Sequence, residues 1–382
     1  MNCYRYLRRI VLTALLSVFL LGCDKTPIFY TLEGVYPIEK DLGLENNIAV
    51  FEMTLFSDTD TWYFAATGTL SLYARSDSGD NWKRVSPPVA GAFCDTVEVF
   101  GDLLYAGFYK QDGTGLGLYR VDPDDNPASF DDSTTPISTN WTQIGAAAVQ
   151  DVQIGMIKDV GGTLYVATAE WNDTDKMYEY FFYSSADGYV VPINFKGNPT
   201  LASPVVDIVE RVAGEYWVIT GGDLYSDTDG TLDDMTLQNP DPTEPQTSDS
   251  FGGFLDSTVT AGLFLSAKDG KLWRYDGSDW DDTTTVEIDE TGVRFTRFID
   301  DTRNNDILVG TEGAGYYKLV LGSLSNVQRL PSPTLDLYNS AINSFYLDTA
   351  VPPGILFACT YGSGLWREVY DTDSGEWKWY QE

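Results

Sequence analysis

The chain contains no histidine. That absence removes the imidazole that serves as base in Ser-His-Asp and Cys-His centres, and with it most zinc and iron sites. Of the four cysteines, Cys3 and Cys23 stand at the N-terminus, so a disulfide in the body of the chain can use only Cys94 and Cys359. These two fall in repeats with another repeat between them, and a disulfide spans no more than about 7 Å between Cα atoms. Two separate buried thiols are therefore expected. Carboxylates are the remaining candidate ligands. Asp227, Asp229 and Asp233, with Asp234, surround Gly230, and hard oxygen donors at alternating positions suit calcium. The EF-hand register fails, however, because Tyr225 and Thr236 occupy its first and last ligand positions. A solvated acidic turn is the preferred reading, with the three aspartates as a weak calcium candidate. No cofactor is implied.

Any such residues must be positioned by what is visibly a repeating scaffold. Seven times a hydrophobic strand is followed, after a Gly-bearing turn, by a second strand carrying a paired Leu, Tyr or Trp. The segments read TWYFAAT…LSLYARSD, LLYAGF…GLYRVD, TLYVAT…YFFYSSADG, EYWVIT…DLYSDTDG, GLFLSA…KLWRYDG, DILVGT…GYYKLV and ILFACT…GLWREV. Aligning Tyr63, Tyr105, Tyr165, Trp217, Phe264, Leu308 and Phe357 gives spacings of 42, 60, 52, 47, 44 and 49 residues. A period of this size, filled with short β-branched and aromatic runs, specifies one four-stranded sheet per repeat. The expected fold is all-β: a seven-bladed β-propeller with four antiparallel strands per blade. Each repeat opens with an inner strand, such as IAVFEMTLF or VVDIVERV, and no amphipathic helix of ten residues is evident. Residues 122–140, 170–179 and 233–250 break the period and, being polar and acidic, read as surface loops. Ring closure is expected from face-to-face packing of the last repeat on the first, helped by an N-terminal strand near residues 28–33.

One turn pattern is more specific. Ser76-Asp77-Ser78-Gly79-Asp80-Asn81-Trp82 resembles the Asp-box of BNR repeat proteins, with Arg75 where Ser or Thr is usual. Asp373, Gly375 and Trp377 form a shortened cousin in repeat seven, and Asp276-Gly277 with Trp280 a more degenerate one in repeat five. The chemistry of such a box is structural: the Asp accepts turn N–H groups, Gly supplies an unusual backbone angle, and Trp packs between sheets. Because Asp-boxes occur in sialidases, the resemblance also raises glycoside hydrolysis, which there requires three converging arginines. Candidates are Arg84, Arg211, Arg274, Arg294 and Arg297, and their spacing singles out no trio. Trp171, Tyr178, Trp379 and Tyr380 lie outside the repeat signature. They read as inter-sheet packing, with a stacking platform for sugar or peptide as the alternative.

The N-terminus addresses the chain. Arg5, Arg8 and Arg9 precede a twelve-residue apolar run from Ile10 to Leu21, shorter than the roughly 20 residues a membrane-spanning helix needs. Basic flank and short apolar core form a secretory signal. Its end, Leu20-Leu21-Gly22-Cys23, resembles a bacterial lipobox, which implies cleavage before Cys23 and lipidation of that residue. Residues 1–22 would then be signal peptide, 23–45 a lipid-anchored tether with the closing strand, and 46–382 the propeller. The formal charge is −33, and loss of the three leader arginines makes it −36. Such a charge repels nucleic acid and anionic membrane surfaces.

The expectation is a non-enzymatic, monomeric envelope lipoprotein on the non-cytoplasmic side, binding an unidentified envelope or extracellular protein through its faces. A glycan-binding propeller is the alternative, and a sialidase-like hydrolase a more distant one.

Overall fold

The computed structural model describes residues 44, 48–58, 61–77, 81–124, 140–230, 232, 235–238, 251–260, 262–267, 270–278, 280–281, 293–324, 326–332, 335–350 and 352–382. Cys23, the signal and tether apart from Leu44, the strand expected near residues 28–33, Gly79 and Asp233 lie outside the described residues.

Seven antiparallel sheets follow one another along the chain. Their inner strands are Glu52–Ser57, Phe93–Phe100, Gln153–Val160, Val205–Val212, Phe251–Ser257, Phe295–Asp301 and Ala341–Asp348. Each inner strand neighbours the next, and the seventh neighbours the first, so they form a closed ring. This is the expected seven-bladed propeller. Six blades pair four strands in simple meander order. In blade three the fourth position is taken by an irregular segment. It contacts the third strand, Met177–Ser184, where Ile193 N–H donates to Phe182 C=O and Leu201 N–H to Tyr180 C=O. The helices among the described residues are four 3-10 turns of three or four residues.

The second strands carry the repeat signature because they sit mid-sheet with both faces covered, so nearly every side chain must be apolar. All seven aligned positions are buried. Seven apolar clusters fill the seven inter-blade gaps. Tyr105, Tyr165, Trp217, Phe264, Leu308 and Phe357 each pack towards the following blade. Tyr63 instead faces backwards onto Phe357, ring centroids 5.3 Å apart, while Trp62 and Phe64 face blade two. The alignment is thus one residue out of step in blade one. With a period of two, a single step reverses the face.

Several junctions between blades are also pinned by main-chain bonds. Gly68 and Cys94 exchange N–H···O bonds of 2.7 and 3.1 Å between blades one and two. At the closing junction Val50 N–H donates to Thr360 C=O and Gly364 N–H to Ile48 C=O. Leu44, within the stretch assigned to the tether, is buried in the cluster joining blades seven and one. Side chains complete the closure. The carboxylate of Glu382 accepts from Arg75 Nη1 at 2.5 Å and Trp82 Nε1 at 2.8 Å. Arg367 Nε lies 2.6 Å from its other oxygen, a contact of charge rather than an aligned hydrogen bond. Arg75 is itself sandwiched over the rings of Tyr63 and Trp82.

The segment 170–179 is not a loop. The second and third strands of blade three run through it as Thr163–Asn172 and Met177–Ser184, leaving a four-residue turn. The polar composition that suggested a loop belongs to a hairpin projecting into water, where polar side chains can line both faces of paired strands. Asn172 holds the turn: its Oδ1 accepts from the N–H groups of Thr174 and Asp175, and its Nδ2 donates to Glu179.

Candidate functional site

The inner strands bring charged residues to the central channel. Glu52 accepts from Thr96 Oγ1 at 2.7 Å and Val97 N–H at 3.0 Å, linking blades one and two. Thr96 in turn accepts from Ile157 N–H of blade three. Asp207 of blade four is buried, yet it receives Lys158 Nζ at 2.5 Å, Arg297 Nη1 at 3.0 Å and the Phe254 N–H at 2.9 Å. Blade seven closes the circuit through Asn343 and Ser344, whose side chains donate to Val50 and Phe51 carbonyls. Burial works to raise the Asp207 carboxyl, but the two cations and the backbone donors outweigh it and hold it below its ordinary value. Glu98 behaves oppositely. Burial, joined by the charges of Glu52 and Asp159, pushes it up to about 8 against the pull of Val99 N–H and Lys158.

Chemically the arrangement is a lock. The Asp207 oxygens are occupied by two cations and two backbone donors, and the cations are consumed by it. Of the arginines singled out in the sequence, Arg297 takes part in this network. Arg84 lies on the outer strand of blade one, Arg211 pairs with Glu215, Arg274 donates to Thr260 C=O, and Arg294 pairs with Glu312. These five do not gather around one point.

The turn residues hold sheets together. Trp82 is buried at the closing junction, and Asp77 N–H donates to Thr61 C=O. In repeat seven the carboxylate that accepts turn N–H groups is Asp371, bonded to Asp373 and Ser374, not Asp373, which is exposed. Bonding to Lys378, then to those N–H groups, holds Asp371 well below the usual carboxylate range. Gly375 takes φ +72°, and Trp377 stacks on Arg303, 4.1 Å from ring to guanidinium. Asp227 spends its oxygens on the N–H groups of Asp229 and Leu232. Among the described residues no three acidic or thiol side chains group around a point. Cys94 and Cys359 are separate, buried thiols.

Two aromatic residues overturn the packing expectation. Trp171 and Tyr178 are 51% and 39% exposed, and Met177 beside them is 56% exposed. They are cross-strand partners near the tip of the blade-three hairpin, stacked edge-to-face with centroids 5.2 Å apart. Their position explains the exposure: the hairpin runs past the sheets that cover its base, and only the Tyr178 hydroxyl comes near another blade, at the blade-two turn holding Gly113. Trp379, by contrast, packs on Tyr316 and donates to its hydroxyl. Among the described residues no strand pairs with the outer edge of Met177–Glu179. The hairpin therefore offers an exposed aromatic pair beside a strand edge that no described strand covers, the ingredients of an interface for another chain.

No protein-family model matches the chain, and no curated protein matches its sequence. Among solved structures it is similar to an ancestral GH74 enzyme, with a TM-score of 0.59 at 13% identity, over 89% of this chain and 47% of that one. The chain thus spans about half the length of that enzyme. It is also similar to YCF48 bound to D1 peptide, with a TM-score of 0.54 at 14% identity over 87% and 97% of the two chains. The WD40 β-propeller domain of Doa1 gives a TM-score of 0.51 at 11% identity, over 87% and 97%. At these identities the likeness is one of fold.

Proposed function

We propose that this chain is a non-enzymatic binding or assembly platform. In this reading a lipid on Cys23 holds it to a bacterial envelope membrane on the non-cytoplasmic side, and a propeller face recruits an envelope or extracellular protein. The observation that carries the reading is the blade-three hairpin, where Trp171, Met177 and Tyr178 remain in water beside an unpaired strand edge. Exposed aromatics on a rigid element are the usual anchors of protein interfaces. The channel charges, in contrast, are spent on holding blades together. YCF48, a propeller of similar size, has been solved with a bound peptide, which supports peptide recognition by such a disc. Anchoring through Cys23 fits the basic leader and the residues Leu20-Leu21-Gly22 before it, because two or more acyl chains give lasting attachment.

Crosslinking in intact membranes followed by affinity capture tests the platform. A discrete protein partner recovered with the native chain and lost with Trp171→Ala/Tyr178→Ala is the expected result. Recovery of no partner, together with glycan-array binding that the same double variant abolishes, would favour the second reading, a glycan-binding propeller stacking sugar on Trp171 and Tyr178. Cys23→Ser is expected to release the protein into the soluble fraction. Membrane retention of that variant would refute the anchor.

A further inference from the structure

At the far end of the blade-three strand that begins in the aromatic hairpin, an open cavity of about 320 Å³ lies between blades two and three. The strand Met177–Ser184 separates the two features by about 24 Å, at roughly 3.4 Å per residue. The cavity therefore opens on the other side of the disc from the hairpin. Its lining sets the rings of Phe100, Tyr105 and Tyr189 beside the polar side chains of Arg120, Gln143 and Ser185. Phe100 and Tyr105 meet edge-to-face at 6.1 Å, and both Tyr105 and Tyr189 are buried.

Two features set it apart from an ordinary inter-blade gap. The first is Tyr189, a non-glycine residue held at φ +63°. Left-handed backbone is costly for a bulky side chain and persists only where surroundings dictate it. Here Asp187 dictates it, accepting from the N–H groups of Tyr189, Val190 and Val191. The outcome is a ring in the cavity wall, followed in the chain by Val190 and Val191, which stand 71% and 59% exposed. The second is Arg120. It lines the cavity, is exposed, and pairs with no carboxylate among the described residues. Among the described residues, Arg75, Arg211, Arg294, Arg297, Arg303 and Arg367 do form ion pairs. Arg120 is close enough to Tyr189 for its charge to act on the phenol.

We infer that this cavity binds a carboxylate carried on an apolar stem: Arg120 takes the carboxylate, and Phe100, Tyr105 and Tyr189 enclose the stem. A guanidinium presents paired donors that match a carboxylate, and the aromatic rings beside it give an apolar stem a surface to pack on. The volume suits one aromatic or branched group. The carboxylate belongs either to a free organic acid or to the end of a peptide, and the same chemistry serves both. The inference goes beyond the platform reading and does not depend on it, since the hairpin residues take no part.

Titration calorimetry with 3-phenylpropionate and its neutral amide tests the site on the native protein, Arg120→Gln and Tyr189→Gly. The acid is expected to bind, and the amide and the Arg120→Gln variant to lose about tenfold or more, since a charge-assisted pair is worth about that factor. Acetyl-Ala-Ala-Phe with a free terminus separates the sources: tighter binding than 3-phenylpropionate assigns the carboxylate to a peptide end, weaker binding to a free acid. Arg120 is exposed, so its variant keeps the native near-ultraviolet circular dichroism. Equal binding of acid and amide, undiminished binding by Arg120→Gln, or no heat from either carboxylate with the native spectrum intact would overturn the inference.

Discussion

Replacing Glu382 with Gln deletes the negative charge at the point where the ring closes. The carboxylate is fully enclosed, and Arg75, its 2.5 Å partner, keeps only 3% of its side-chain surface in water. Arg367, the second cation, is 22% exposed. After the substitution Arg75 has no buried counter-charge and cannot reach solvent. Breaking one partner of a buried pair costs about 3–5 kcal/mol, most of it the desolvation of the charge left behind. For a domain of this size, at an unfolding entropy of about 2 cal/mol/K per residue, that corresponds to a fall of roughly 4–7 °C in Tm. Differential scanning calorimetry gives the number. Asp173→Asn provides the control, because the Asp173–Lys176 pair is 87% and 69% exposed and such pairs are worth about 0–1 kcal/mol. Arg75→Met combined with Glu382→Gln should recover part of the loss, since an apolar side chain needs no partner there. A Tm for Glu382→Gln within about a degree of the Asp173→Asn control, well below the shift expected from a buried pair, would refute the latch.

Three further outcomes follow from the same geometry. Glu98 titrates near 4.5 when unfolded and about 8 when folded, so between those values the folded state holds more protons and stability falls as pH rises. Urea midpoints should therefore decline across that window, and Glu98→Gln should flatten the decline; an unchanged slope contradicts the assignment. Burial pushes the Cys359 thiol up to about 12 and Cys94 well above its ordinary value. Mass mapping after iodoacetamide should find both unmodified in the folded protein and both alkylated in guanidinium, and native-state labelling of either would show an opening the structure lacks. At Gly115 an added Cβ would stand 1.9 Å from the Val152 carbonyl carbon. Gly115→Ala should cost about 1–3 kcal/mol or more through displacement of the blade-three entry, read as a lower denaturation midpoint, and a wild-type midpoint would mean that the junction yields freely.

Much of the scaffold was legible because the signal is local. A strand covered on both faces must be apolar along its length, and seven such strands with Gly-bearing turns announced seven blades whatever their partners. The same locality explains the errors. Tyr63 matches its counterparts in type, but only the neighbouring sheets reveal that it faces backwards onto Phe357. Residues 170–179 have a loop's composition because an overhanging hairpin meets water on both faces. Trp171 and Tyr178 carry the composition of a core, and their exposure depends on where the adjacent blades stop.

The candidate sites were the least legible part. Lys158, Asp207 and Arg297 come from three different blades, and nothing near any one of them marks it as a member of a set. Glu382 and Arg75 are joined across 307 positions. The hollow beside Arg120 is walled by residues of blades two and three together, from Phe100 to Tyr189.

By itself the sequence determined the repeat and most of its strands, since these depend on residues close together in the chain. The tertiary structure decided which charges meet, which aromatics stay wet and where a cavity opens. Those outcomes depend on how separate blades abut once the ring has closed, and ring closure is a long-range event with no local imprint.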